Sequence, residues 1–300
     1  MQIQFYNLKD NPRNLLTNVN LDRLSTFEDG LTEGEKSKIE SSWTKRLQLG
    51  YKDNELGSLW STLDGLVFMP VRFKTYDAVT QHLPIQKGKV IPYSMVILEQ
   101  LRTSAVGCVL ETIDGYIVVQ RRGTKVLAHN KLDSSASGMV VSLEGKLDFE
   151  AQALNKLEKE LGISRHDLEY LVPTGIHRAL DYGTAQFTFA AKTMKTLGQI
   201  REDKDPECNE DLDKSRTQEI KGIELEHLPS FIIDHATRDL IGDGIATLLK
   251  SINNQDIFGG IISTLKLKGI NIVSGTLKDG IFIEDCSLDS IQYDLFDTYQ

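Results

Sequence analysis

Apolar residues recur along this chain with two different periods, and the switches between them mark its elements. Over residues 33–49, Ile39, Trp43 and Leu47 fall at i, i+4 and i+8, the spacing of one buried helical face. Thr32 with Glu35 three positions on has the spacing of a capping box, and Gly50 ends the run. Two strand-like runs follow at 56–63 and 66–73 with Asp64-Gly65 between them, a pattern that predicts a hairpin. A short helix over 76–83 and a linker over 84–92, with prolines at both ends and Gly88, complete this part.

The middle of the chain alternates strand and helix patterns. An apolar strand over 105–111, a turn at Asp114-Gly115 and a β-branched return strand over 116–121 come first. Residues 123–148 read mostly as loop. A helix over 149–161 stops at Gly162, as helices do at a left-handed glycine. Strands over 170–177 and 185–192 follow, then a charged, apolar-poor segment over 198–216 that predicts a mobile loop. A strand over 220–225 and a largely helical stretch over 229–252 complete the pattern. Residues 269–284 suggest an added strand, turn and strand around Lys278-Asp279-Gly280, with packing as their expected role. We therefore expect an N-terminal accessory domain over 1–98, an α/β domain over 99–252 and a C-terminal β extension over 253–300.

Composition narrows the function classes. The chain has 300 residues, enough for a real core. Its 43 acidic and 34 basic residues leave a net charge of −9, which argues against general affinity for nucleic acid or an anionic membrane. Small phosphorylated ligands answer to local charge and stay open. No apolar run reaches the ~18 residues of a membrane span, and the N-terminal stretch has no secretory pattern. Cys108, Cys208 and Cys286 are far apart and odd in number, so we expect free thiols in a reducing cytoplasm.

Residues 120–163 carry the candidate chemistry. A strand–turn–strand pair ends in Gln120-Arg121-Arg122, and Ser135-Ala136-Ser137-Gly138 follows. Gly138 and Glu144 are spaced as Gly-x5-Glu, and the helix ends in Glu160-Leu161-Gly162-Ile163. Gln218-Glu219 precedes a further strand. Together these resemble the Nudix family over about half the chain. The resemblance implies an α/β/α sandwich with a mixed sheet, and cleavage of a nucleoside-diphosphate-linked compound such as a nucleotide-sugar or ADP-ribose. It also implies magnesium or manganese as cofactor if the protein is active. Trp43, the Asn54 region and residues 71–76 are similar to the add-on domain of an extended Nudix group that includes UDP-sugar-cleaving members. By the resemblance, Glu160, Glu144 and Glu219 would be catalytic, with Glu160 and Glu144 as metal ligands.

The departures from the family pattern change what the helix can do. Glu144 and Asn155 are separated by ten residues, a three-residue insertion. The family's Arg-Glu-apolar-x-Glu-Glu is here Asn155-Lys156-Leu157-Glu158-Lys159-Glu160. Its three carboxylates thus map to Lys156, Lys159 and Glu160. At i, i+3 and i+4 these share one side of a helix, and Glu158 lies about 200° from Lys156, too far to replace them. Each lysine would repel a divalent ion, on the order of 4 kcal/mol per unit-charge pair at ~4 Å and an effective dielectric of ~20.

Two functional readings remain. Lys156 and Lys159, with Arg121, Arg122 and Gly138, could hold a pyrophosphate without metal. The domain would then be a catalytically silent nucleotide sensor or protein-binding scaffold. Alternatively, residual carboxylates sustain hydrolysis. The plainer reading is a solvated helix, in which Lys156 and Glu160 form an ordinary surface pair worth ~0.3–0.5 kcal/mol. The six histidines show no metal spacing and read as surface or loop residues. Gly175-Ile176-His177-Arg178 reads as a strand end that could face a ligand.

Overall fold

The computed structural model describes residues 1–6, 19–22, 25–61, 66–81, 92–123, 128, 130–180, 183–203, 217–252, 254–278 and 281–285. The Asp64-Gly65 turn, the linker over 84–91, residues 204–216, Asp279-Gly280, Cys208, Cys286, His82 and His129 lie outside them.

The N-terminal third holds β1 (Gln2–Tyr6), β2 (Val19–Asn20), α1 (Glu33–Gln48), β3 (Glu55–Ser61), β4 (Val67–Arg72), α2 (Phe73–Thr80) and α3 (Met95–Gln100). The middle holds β5 (Ser104–Glu111), β6 (Tyr116–Arg122), β7 (Leu132–Asp133), β8 (Ala136–Met139), β9 (Lys146–Leu147), α4 (Phe149–Leu161), β10 (Leu168–Ala179) and β11 (Ala185–Thr193). After these come α5 (Leu197–Asp203), β12 (Thr217–Glu224), α6 (Leu228–His235), α7 (Gly242–Leu249), α8 (Gln255–Leu267), β13 (Asn271–Lys278) and β14 (Ile281–Glu284).

The expected α/β/α sandwich with a mixed sheet forms. Strands run in the order β12-β6-β5-β11-β10-β1-β13-β14, with β7 on β6 and β8 on β5. β11 with β5 and β1 with β13 pair in parallel, and the other pairs are antiparallel. Period-two alternation sorts side chains between the faces. One face packs Val106, Cys108, Val118, Phe187 and Phe189 against Phe149, Ala153, Leu157 and Leu161 of α4. Phe149 stacks on Phe187 with ring centroids 3.8 Å apart. The other face packs Ile3, Phe5, Val109, Ile117 and Val119 against α6, α7 and α8.

The N-terminal elements form a third cluster around Ile39, Leu56, Val71, Val79 and Leu98, to which Met139 and Val141 add. α1 begins with the expected capping box: Thr32 Oγ1 accepts from Glu35 N–H, and Glu35 accepts from Thr32 N–H. Ile39 and Trp43 are buried, but Leu47 is 56% exposed. At ~100° per residue, Leu47 has drifted about 40° beyond Trp43 and past the edge of the buried face. The buried Arg178 donates to the carbonyls of Leu98, Glu99 and Leu101, tying the end of α3 to β10. Burial pushes that guanidinium down to about 10.

Three further features differ from the sequence-based expectation. β1 lies inside the central sheet, and β13 pairs with it, so segments assigned to the accessory domain and the extension share one sheet with the middle. Residues 255–267 are helical where only β structure was expected beyond 252. Residues 197–203 are helical within the expected loop, because Leu197 and Ile200 are buried. No helix among the described residues is long and apolar enough to cross a membrane.

Candidate functional site

The site grows from three elements that meet at one end of β6. Alternation along β6 puts Gln120 and Arg122 on the α4 face and Arg121 on the other. β8 runs antiparallel to β5 and brings Ser137 and Gly138 beside it. α4 starts at Asp148, whose carboxylate accepts from Ala151 N–H at 2.9 Å, and stops at left-handed Gly162 with φ of 68°.

Glu160 is buried, 7% exposed, one position along from the apolar stripe of α4. Its Oε2 accepts from Gln120 Nε2 at 2.7 Å and from Ser137 N–H at 3.2 Å. Burial pushes the Glu160 carboxyl above its ordinary range. It outweighs Lys156, the two hydrogen bonds and Arg122, all of which favour the anion. Beside it, Arg122 pairs with the fully buried Asp133 and donates to Ser137 Oγ at 3.3 Å. Burial disfavours the Arg122 charge, but Asp133 and then Glu160 more than offset this and hold its pKa above the usual value. Asp133 also accepts from Ser134 N–H and Ser137 Oγ, at 2.7 and 2.8 Å.

Lys156 is half-buried, one helical turn before Glu160. The end of its side chain lies against Gly138. A Cβ at that glycine would stand 2.4 Å from Lys156 Cε and 2.5 Å from Nζ. Gly138 thus leaves room for the lysine.

The other expected site residues do not join this cluster. Lys159 is exposed. It lies about 130° around the helix from the centre of the buried face, whereas Lys156 is about 70° from it and Glu160 about 30°. Glu144 is exposed at a two-residue turn, φ of 52°, followed by Gly145 with φ of 79°. Leu143 and Lys146 exchange both backbone hydrogen bonds around them, a geometry that hairpins favour. Glu219 pairs with Arg121 across β12 and β6, Oε2 to Nε at 3.2 Å. Arg121 also bonds Asn130 carbonyl at 2.8 Å and Asp239 at 3.2 Å. Asp239 in turn holds His235 Nδ1 at 2.7 Å. His177 is fully buried, in contrast to the surface position expected. It sits under α7, with Nε2 3.6 Å from Asp243, on the sheet face opposite α4, whereas its neighbour Ile176 packs into the α4-side core.

Sequence reasoning missed Gln120, Asp133 and Ser137 as functional neighbours. Period-two alternation could have paired Gln120 with Arg122. Nothing in the local sequence marks Asp133, because its role depends on β7 lying beside β6.

The donor set does not fit a magnesium cluster. Magnesium prefers oxygen ligands in octahedral geometry. Here two buried carboxylates, Glu160 with one oxygen already accepting two hydrogen bonds and Asp133 paired with Arg122, stand next to an ammonium and a guanidinium. Among the described residues, the one group of three His or carboxylate side chains with ligand atoms within 4.8 Å of one another is elsewhere, at the exposed Glu224, Glu226 and His227.

No family model matches the sequence, and no curated relative does either. Solved structures do show likenesses. A Deinococcus radiodurans protein is 16% identical, with 65% of this chain and 97% of that one covered and a TM-score of 0.40. A MutT Nudix hydrolase from Burkholderia pseudomallei is 17% identical over 50% of this chain and 98% of its own, at a TM-score of 0.33. A Nudix hydrolase from Nitrosomonas europaea is 15% identical over 56% and 90%, at 0.32.

Proposed function

We propose that this chain is a Nudix-like protein with a degenerate box, which binds a nucleoside-diphosphate-linked compound and has weak or absent pyrophosphatase activity. The hairpin ending in Gln120-Arg121-Arg122, the Gly138 loop and the helix ending in Glu160-Leu161-Gly162-Ile163 support the family reading. The small N-terminal cluster suits an add-on unit of the extended group, with residues 99–252 as the ligand-binding part.

One observation carries the loss of activity. Where the resemblance calls for clustered carboxylates free to hold metal, Lys156 lies on Gly138 beside the buried Glu160, and Arg122 pairs with the other buried carboxylate, Asp133. Hydrolysis by metal-activated water needs the ion held and its charge balanced, and the cations here oppose that. The ligand classes best suited are nucleotide-sugars and ADP-ribose.

The test is a panel of nucleotide-sugars, ADP-ribose and dinucleotides with magnesium or manganese, followed for binding by calorimetry and for phosphate release. Binding with negligible turnover is expected. Brisk turnover that disappears in Glu160→Gln would overturn the silent reading, and failure to bind any member would overturn the ligand assignment.

A further inference from the structure

We infer that Lys156 is a chain-borne cation standing in for a divalent ion, so that a diphosphate group is recognised at this site without metal. The inference rests on the nucleotide-binding reading above and adds to it the identity of the recognising cation.

Three observations lead there. First, the lysine is half-buried and lies along the protein surface. Its last carbon and its ammonium lie over Gly138, where even a methyl group would collide with them at 2.4–2.5 Å. A cation whose side chain already lies along the protein loses less freedom on binding an anion than a fully exposed lysine does. Second, the surrounding charges are arranged around fixed cations. Arg122 is paired with Asp133, and Glu160 lies within electrostatic reach of both Lys156 and Arg122. The two buried carboxylates, Glu160 and Asp133, are already matched by two resident cations, Lys156 and Arg122, so a divalent ion entering here would bring surplus positive charge. Third, Glu160 Oε2 accepts from both the backbone N–H of Ser137 and the amide of Gln120, so this oxygen is built into the wall rather than offered outward.

An ammonium suits the assigned task. It is a compact point charge with three donors, and it donates to phosphate oxygens in many directions. Glycine at 138 follows from the same geometry, since it leaves the space the lysine fills. The Gly138–Lys156 pairing is therefore one device, and either half can be tested.

The experiment uses inorganic pyrophosphate and manganese as separate probes of the full chain. Calorimetry measures pyrophosphate binding in excess chelator and again with magnesium. Electron paramagnetic resonance measures binding of manganese alone. Wild type should bind pyrophosphate equally well in both buffers and show no specific manganese binding. Lys156→Met should weaken pyrophosphate about tenfold or more, whereas Lys156→Arg should keep most of the affinity. Gly138→Ala retains the charge but displaces it, and should give an intermediate loss. Lys156→Glu should lose pyrophosphate and gain manganese.

Thermal melts of each variant establish that it is folded, and Lys156→Arg supplies a conservative control. Pyrophosphate binding that requires magnesium, or a folded Lys156→Met that binds as wild type does, overturns the inference. In either case, nucleotide-sugar binding in the panel above leaves the functional reading standing. Wild type that binds neither pyrophosphate nor any nucleotide overturns both.

Discussion

Arg121 and Arg122 are neighbours in the chain and live in different surroundings. Arg122 turns toward α4 and pairs with Asp133, whose side chain is 1% exposed. Arg121 turns to the opposite face and shares itself among Glu219, Asp239 and the Asn130 carbonyl, near the surface. The same residue type thus anchors a buried network on one side and stitches exposed strands and loops on the other. Side-chain chemistry is common to both; the second, buried partner is what separates them.

The largest effect should come from the buried side. Arg122→Met leaves Asp133 without its cation and is expected to destabilise the fold by about 3 kcal/mol, read as a lowered urea midpoint. A midpoint close to wild type would mean that the serine donors to Asp133 suffice. Arg121→Met should cost only about 1 kcal/mol, as partly exposed ion pairs usually do. If the two variants lost the same stability, the contrast between the faces would collapse.

The finest probe is pH. Burial works to raise the pKa of Asp239, but hydrogen bonds from His235 and Arg121 prevail and hold it below its ordinary 3.8. A carboxylate with a depressed folded value stabilises the protein above the unfolded value, and that contribution is lost as pH falls through the folded one. The stability gap between wild type and Asp239→Asn should therefore be present at neutral pH and close in acid below 3.8. A gap that stays constant through that range would remove Asp239 from the network.

How much of this was legible depends on where the deciding partner lies. The α1 cap, the α4 helix, its Gly162 stop and most central strands are set by neighbours within a few residues, and the pattern reveals them. α8 carries Phe258, Ile261, Ile262 and Leu265 at helical spacing behind an Asn254 cap, but the Gly259-Gly260 pair weakens the local signal. At the candidate site, Lys156 and Glu160 were recognisable as one cluster because a single helix carries both. Glu144 and Glu219 were placed there by resemblance alone. The first sits in a tight turn, and the second is drawn to Arg121 by a strand pairing 98 residues apart. Asp133 depends on a partner across strands, which no periodicity records.

The place of β1 has a consequence for how the protein comes into being. Gln2 to Tyr6 lie between β10 and β13, pairing with Ile176–Ala179 on one side and Asn271–Gly275 on the other. A ribosome adding ~5–20 residues per second needs on the order of tens of seconds between making the first strand and its last neighbour. In the later part of that interval, once Leu168–Ala179 has been made, a nascent chain with β1 seated on β10 presents an uncovered strand border until β13 emerges, the kind of surface on which unfinished chains adhere to one another. Completion of this sheet is therefore a late event, timed by the emergence of β13 rather than by any step near Lys156.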